Sequence, residues 1–220
     1  MQNWIFGVRS RPFFILLVSF LVLAVLVNEK VTLDFDNSTL LYFQSAAGNH
    51  ALDLFMWIIT EIGDVRWLVF FSLALVIIRR TRRLGLILLL TIVAGTIGAG
   101  YIKGYVVHHL RPQLEFMGSD LPFKISKDTF VLGTDGSFPS GHATRATAVA
   151  LILGYSLMYR FPKWRYLIWI FPVIEAFSRV YVLEHYPTDV IGGTIFGMLF
   201  AGVISNKLKL HEIFKKKSEA

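Results

Sequence analysis

The sequence predicts an all-α polytopic membrane protein with six transmembrane helices and both termini on the cytoplasmic side. Two observations carry this prediction. The 220 residues have a mean hydropathy of +0.58 and only 17% charged side chains, against about 25% in soluble domains. The apolar residues also gather into runs whose intervening turns are alternately basic and not basic. No repeat, low-complexity segment or linker divides the chain, so residues 1–220 are read as one domain.

The runs are 12–27, 67–78, 84–102, 146–159, 166–177 and 190–205. A bilayer core of about 30 Å takes about 20 helical residues, so the second, fourth and fifth runs must extend into their flanks. The second is expected to begin near Leu52, in a stretch that carries Asp53, Glu61 and Asp64. The first run follows Arg9 and Arg11, but its length and the lack of a small-residue cleavage site mark a retained span rather than a secretory signal. Cysteine is absent, which excludes disulfides, a thiolate nucleophile and a Cys-ligated metal.

Basic residues orient the spans. Arg9 and Arg11, then Arg79, Arg80, Arg82 and Arg83, then Arg160, Lys163 and Arg165, then Lys207, Lys209, Lys215, Lys216 and Lys217 fall on one side of a six-span chain. They are fourteen of the 22 Lys and Arg residues, and basic loops stay cytoplasmic. The net charge of +7 therefore reads as a surface facing anionic headgroups rather than a nucleic-acid patch. The other side collects the loops 28–50, 103–138 and 183–189.

Three polar clusters sit at span ends on that outer side: "KGYVVHHLRP" with Lys103 and Arg111, "PSGHATR" with Ser140, Gly141 and His142, and "SRVYVLEHYPTD" with Arg179, His185 and Asp189. Singly, each has an ordinary explanation. Lys103 and Arg111 can snorkel, His142 can be an interfacial histidine, and Asp189 can cap span six. Jointly, two histidines, a carboxylate and three cations that converge at a membrane boundary mark a functional site.

The chemistry suits a phosphate. Arginine presents a fork and lysine a point charge to phosphate oxygens. Proline at the start of a helix, followed by first-turn amides from Ser140 to His142, suits an anion at the positive end of the helix dipole. Asp189, four residues after His185, can orient that imidazole as a nucleophile. His142, without a nearby carboxylate, is the better candidate to protonate a leaving oxygen.

These motifs resemble the type 2 phosphatidic acid phosphatases, or PAP2 family, membrane lipid-phosphate phosphatases related to vanadium haloperoxidases. "PSGH" at 139–142 matches fully, as does "SR" at 178–179 with the spacing to His185 and Asp189. The resemblance implies a six-helix PAP2/haloperoxidase-like core and a metal-independent phosphatase needing no cofactor. In it the position of His185 attacks phosphorus to give a phosphohistidine, that of Asp189 orients it and that of His142 protonates the leaving group. The positions of Lys103, Arg111, Ser140, Gly141 and Arg179 hold phosphate oxygens.

One motif departs. The family's Lys and Arg enclose six residues, whereas Lys103 and Arg111 enclose seven, which would turn Arg111 about 80° away on a continuous helix. A bend before Pro112 is expected to absorb this. His108 and His109 read as bystanders. Glu175 is placed to steady Arg179 one turn on, Glu184 to raise the pKa of His185, and Arg145 is left unassigned.

The expected reaction is hydrolysis of a lipid phosphate or diphosphate at the outer face of a cytoplasmic membrane. Polyprenyl diphosphate, phosphatidylglycerol phosphate, phosphatidic acid and lipid A-type phosphates all suit the pocket; the oligomeric state is not read. The alternatives are a lipid-to-lipid phosphotransferase with the same site, and a non-enzymatic lipid-phosphate transporter that would release no phosphate.

Overall fold

The computed structural model describes residues 7–114, 116, 135–158 and 161–215. Helices are α1 (Arg11–Asn28), α2 (Leu33–Ala46), α3 (His50–Ile62), α4 (Val65–Ile77), α5 (Arg82–Tyr105), α6 (Gly141–Leu157), α7 (Ile170–Tyr181), α8 (Pro187–Lys207) and α9 (Glu212–Lys215). A 3-10 helix at Trp164–Trp169 leads into α7. No strand occurs among the described residues, only an isolated antiparallel bridge between Leu110 and Gly136. Of the basic residues used for orientation, Arg160, Lys216 and Lys217 lie outside the described residues, as does most of the expected outer loop, 117–134.

α1, α5 and α8 are each long and apolar enough to cross a membrane, and α4 is a shorter apolar helix. α1 turns Phe14, Ile15, Val18, Leu21, Val22 and Val25 outward, an exterior suited to lipid rather than water. Its inner face carries Phe20, which stacks on Phe138 at 5.6 Å and on Phe196 at 5.2 Å.

The expected second span is broken. α3 ends at Gly63, and Asp64, in extended conformation, caps α4 by accepting from Arg66 N at 2.8 Å. A carboxylate at the N-cap satisfies amides that a helix start leaves open, so Gly63-Asp64 divides the run that hydropathy joins. The expected loop 28–50 likewise contains α2. Asp36, Leu40 and Phe43 recur at helical spacing; Asp36 and Leu40 are fully buried, and Phe43 packs against the cluster around Leu40.

α2 and α3 are fastened over α7 and α8. Asp36 accepts from Thr188 N at 3.1 Å and from Thr188 Oγ1 at 2.7 Å, bracing the first turn of α8. Asp53 accepts from the Tyr181 hydroxyl at 2.6 Å, at the end of α7.

α6 is the central helix, and every residue from Gly141 to Ile152 is buried. Its alanines and threonines allow close packing against α5, α7 and α8. On α8, Gly193 lies against the carbonyl of Ser140 and Gly197 against that of Thr144, and a Cβ at either would overlap the backbone of α6. This approach brings the starts of α6 and α8 together.

Candidate active site

Asp189 organises the site from the first turn of α8. Its Oδ2 accepts from the Tyr186 amide at 2.9 Å, capping the helix. The same oxygen accepts from the Ser137 hydroxyl and lies 3.4 Å from His185 Nδ1. One carboxylate thus caps the helix and also lies within reach of the imidazole, the two alternatives that the sequence offers.

Ser137 fixes the tautomer of His185. Its Oγ lies 3.1 Å from His185 Nδ1. With its proton given to Asp189, the hydroxyl is left to accept, so Nδ1 carries the hydrogen and Nε2 holds the lone pair. The resulting Asp189–Ser137–His185 chain has the orienting logic of a triad. All three side chains are fully buried, which strengthens each polar contact.

The three motifs are joined through backbone as well. Ser137 N donates to His109 O at 2.7 Å and Arg111 N to Asp135 O at 3.3 Å, pairing the segment after α5 with the one before α6. Gly136 lies against the backbone of Lys103, where an added Cβ would meet the Lys103 carbonyl carbon at 3.0 Å. Ser140 N donates to Asp189 O at 2.9 Å, joining α6 to α8. Lys103, Ser140, Gly141, His142 and Arg179 are buried, and the Arg111 side chain is 11% exposed.

Several expectations change in detail. Pro139 is not the first helical residue but precedes the N-cap, Ser140, whose Oγ accepts from Ala143 N at 3.4 Å. The Ser140 amide is committed to Asp189, so the amides left to face an anion are those of Gly141 and His142, the first two of the helix. α5 ends at Tyr105, well before Arg111, so the extra residue in the Lys103–Arg111 spacing falls in irregular backbone and rotates nothing.

Glu184 turns to the arginines. Its Oε2 lies 2.9 Å from Arg111 Nη1 and 3.6 Å from Arg179 Nη2, while His185 takes Ser137 and Asp189 as its partners. Arg179 Nη1 also donates to Thr60 Oγ1 at 2.8 Å. Below this layer, Arg145 Nε reaches Gly63 O at 3.4 Å and the Glu175 carboxylate lies directly against the Gly63 Cα. Arg145 and Glu175 therefore meet at the α3–α4 junction, where the missing side chain of Gly63 makes the room.

His109, read as a bystander, lies against the site. Its ring is buried, lies 4.7 Å from that of Tyr186 and brings Nε2 to 3.9 Å from Asp189 Oδ1. Burial holds its pKa below the ordinary histidine value, against an opposing pull from Asp36 and in the same direction as Lys30. Ser137 and Thr60 are absent from the sequence reading, which names His109 only as a bystander. The available signal for Ser137 was its place two residues before Pro139; Thr60 carried none.

Residues 84–211 match the family model described as the PAP2 superfamily. The chain belongs to the PAP2 superfamily. It is 30% identical over 202 residues to an undecaprenyl-diphosphatase of Sulfolobus acidocaldarius, covering 86% of this chain and 87% of that one. It is 39% identical over 70 residues to phosphatidylglycerophosphatase B of Bacillus subtilis, covering 29% of this chain and 34% of that one. The fold is similar to the crystal structure of a transmembrane PAP2-type phosphatidylglycerolphosphate phosphatase from Bacillus subtilis, with a TM-score of 0.68 at 23% identity over 87% of this chain and 93% of the other. This PAP2 member is a membrane phosphatase, and the buried cluster lies within the matched segment.

Proposed function

We propose that the protein removes phosphate from a lipid phosphate or diphosphate through a phosphohistidine on His185. The carrying observation is the Asp189–Ser137–His185 chain, which leaves Nε2 with a lone pair. Nε2 attacks phosphorus, the bond from phosphorus to the leaving lipid oxygen breaks, and His142 gives that oxygen a proton. Water then attacks the phosphohistidine, His142 takes the proton of the water, and the phosphorus–nitrogen bond breaks. Lys103, Arg111 and Arg179, with the Gly141 and His142 amides, carry the charge of the transferring phosphoryl group.

In this reading α1, α4, α5, α6, α7 with its 3-10 lead, and α8 are the six spans, both termini are cytoplasmic, and α2 and α3 cover the site on the extracytoplasmic side. The basic turns support that orientation. The phosphate enters from the headgroup layer while the lipid tail stays among the helices. The long match to an undecaprenyl-diphosphatase supports an isoprenoid diphosphate as the substrate.

The test is phosphate release by purified protein from undecaprenyl diphosphate, phosphatidylglycerol phosphate, phosphatidic acid and lipid A phosphates, with His185→Ala as control and EDTA in a parallel series. Fastest release from the isoprenoid diphosphate, none from His185→Ala and no loss in EDTA are expected. Labelled phosphate appearing in a second lipid instead of water would replace hydrolysis with phosphotransfer, and activity restored only by Mg²⁺ would overturn the mechanism.

A further inference from the structure

We propose that Glu184 sets the charge of the phosphate clamp: its carboxylate cancels one of three positive charges, so that the pocket holds a phosphate group loosely enough to release it. This rests on the reading of Lys103, Arg111 and Arg179 as phosphate ligands. Glu184 Oε2 lies 2.9 Å from Arg111 Nη1 and 3.6 Å from Arg179 Nη2, and Arg111 Nη1 also donates to the Glu184 carbonyl at 3.1 Å. A single carboxylate oxygen therefore stands between two arginines from different parts of the chain.

The way it holds Arg111 matters. Only Nη1 is engaged; Nε and Nη2 are buried and have no hydrogen-bond partner among the described residues. Those two nitrogens form one edge of the guanidinium, the edge that grips two oxygens of a phosphate in parallel. Glu184 thus takes Nη1 of Arg111 and leaves the gripping edge without a partner among the described residues, which makes it a positioning residue and not a plug.

Its charge is felt because the surroundings are dry. The side chains of Glu184 and Arg111 are each 11% exposed and that of Arg179 is fully buried, so solvent screens the three poorly. With the Glu184 charge removed, the same three cations would hold the dianionic product more tightly. One carboxylate in contact with two of the arginines that would hold a phosphate weakens its binding by about tenfold or more.

The experiment is competitive inhibition of lipid-phosphate hydrolysis by inorganic phosphate, using the purified full chain. Glu184→Gln keeps an oxygen for Arg111 and removes the charge. The expected result is an inhibition constant for inorganic phosphate about tenfold lower than in the wild type, with KM shifted in the same direction and kcat reduced by slow release. Glu184→Ser, a second uncharged variant, shifts the inhibition constant the same way and serves if Glu184→Gln does not fold. Inhibition unchanged or weaker in the uncharged variants overturns the proposal. Arg111→Ala separates the two readings: if it abolishes phosphate inhibition while Glu184→Gln changes nothing, only the role of Glu184 falls. If Arg111→Ala is inhibited like the wild type, the clamp itself is misassigned and this inference falls with it.

Discussion

The Ser137 hydroxyl lies 3.1 Å from Nδ1 of His185, closer than the Asp189 carboxylate at 3.4 Å. The histidine is thus oriented through a serine as well as by the carboxylate four residues on. Removing the hydroxyl leaves only the longer contact to Asp189 to hold the imidazole. A hydrogen bond of this kind to a charged network contributes about 1.5–3 kcal/mol. Ser137→Ala is expected to lower kcat about tenfold to a hundredfold with little change in KM, measured by steady-state phosphate release. A KM effect alone would make Ser137 a binding residue.

Thr60 supports Arg179 from α3. Its Oγ1 accepts from Arg179 Nη1 at 2.8 Å, and Thr60→Val keeps the shape while leaving a buried donor of Arg179 without that acceptor. The arginine then loses orientation rather than charge. KM is expected to rise about tenfold, with kcat changed less; Thr60→Ser, which keeps the hydroxyl, restores the wild-type KM.

Gly193 sets the distance between α6 and α8. A methyl group there would overlap the Ser140 carbonyl and push apart the helix starts that the Ser140 N–Asp189 O bond of 2.9 Å joins. Gly193→Ala is expected to destabilise the fold by about 1–3 kcal/mol and to lose activity at temperatures where the protein stays folded. Thermal unfolding in detergent, read beside kcat, checks both parts.

His109 makes stability depend on pH. Burial keeps its folded pKa below the unfolded value, which is about 6.5. Below that pH the unfolded chain binds a proton that the folded chain does not, so stability falls as the pH drops from about 6.5 toward the folded pKa. His109→Gln is expected to show a smaller fall in Tm between pH 7 and pH 5.5 than the wild type. An equal fall would assign the acid sensitivity to other groups.

Much of the proposed site was legible because its residue types are chemically restrictive. Few arrangements other than phosphate handling call for Ser140-Gly141-His142 at a helix start and Arg179, His185 and Asp189 at the junction of two apolar runs. Helix boundaries were less so. Gly63 and Asp64 end one helix and cap another through a side chain-to-amide bond that hydropathy does not register, and α2 was hidden by its polar residues. Of these, Asp36 is polar because it braces Thr188 from inside the protein.

By itself, the sequence determined the lipid-facing character of the chain, its helical class and the order of the polar motifs from which the site is proposed, since these depend on composition, run length and local spacing. Tertiary structure alone decided that Ser137 stands between His185 and Asp189, that Glu184 joins Arg111 to Arg179, and that Arg145 and Glu175 meet at Gly63. The physical reason is range. These partnerships depend on packing between elements distant in sequence, such as the close approach of α8 to α6 at Gly193 and Gly197 and the room that Gly63 leaves for a carboxylate, and no local pattern records which groups such packing brings within hydrogen-bond distance.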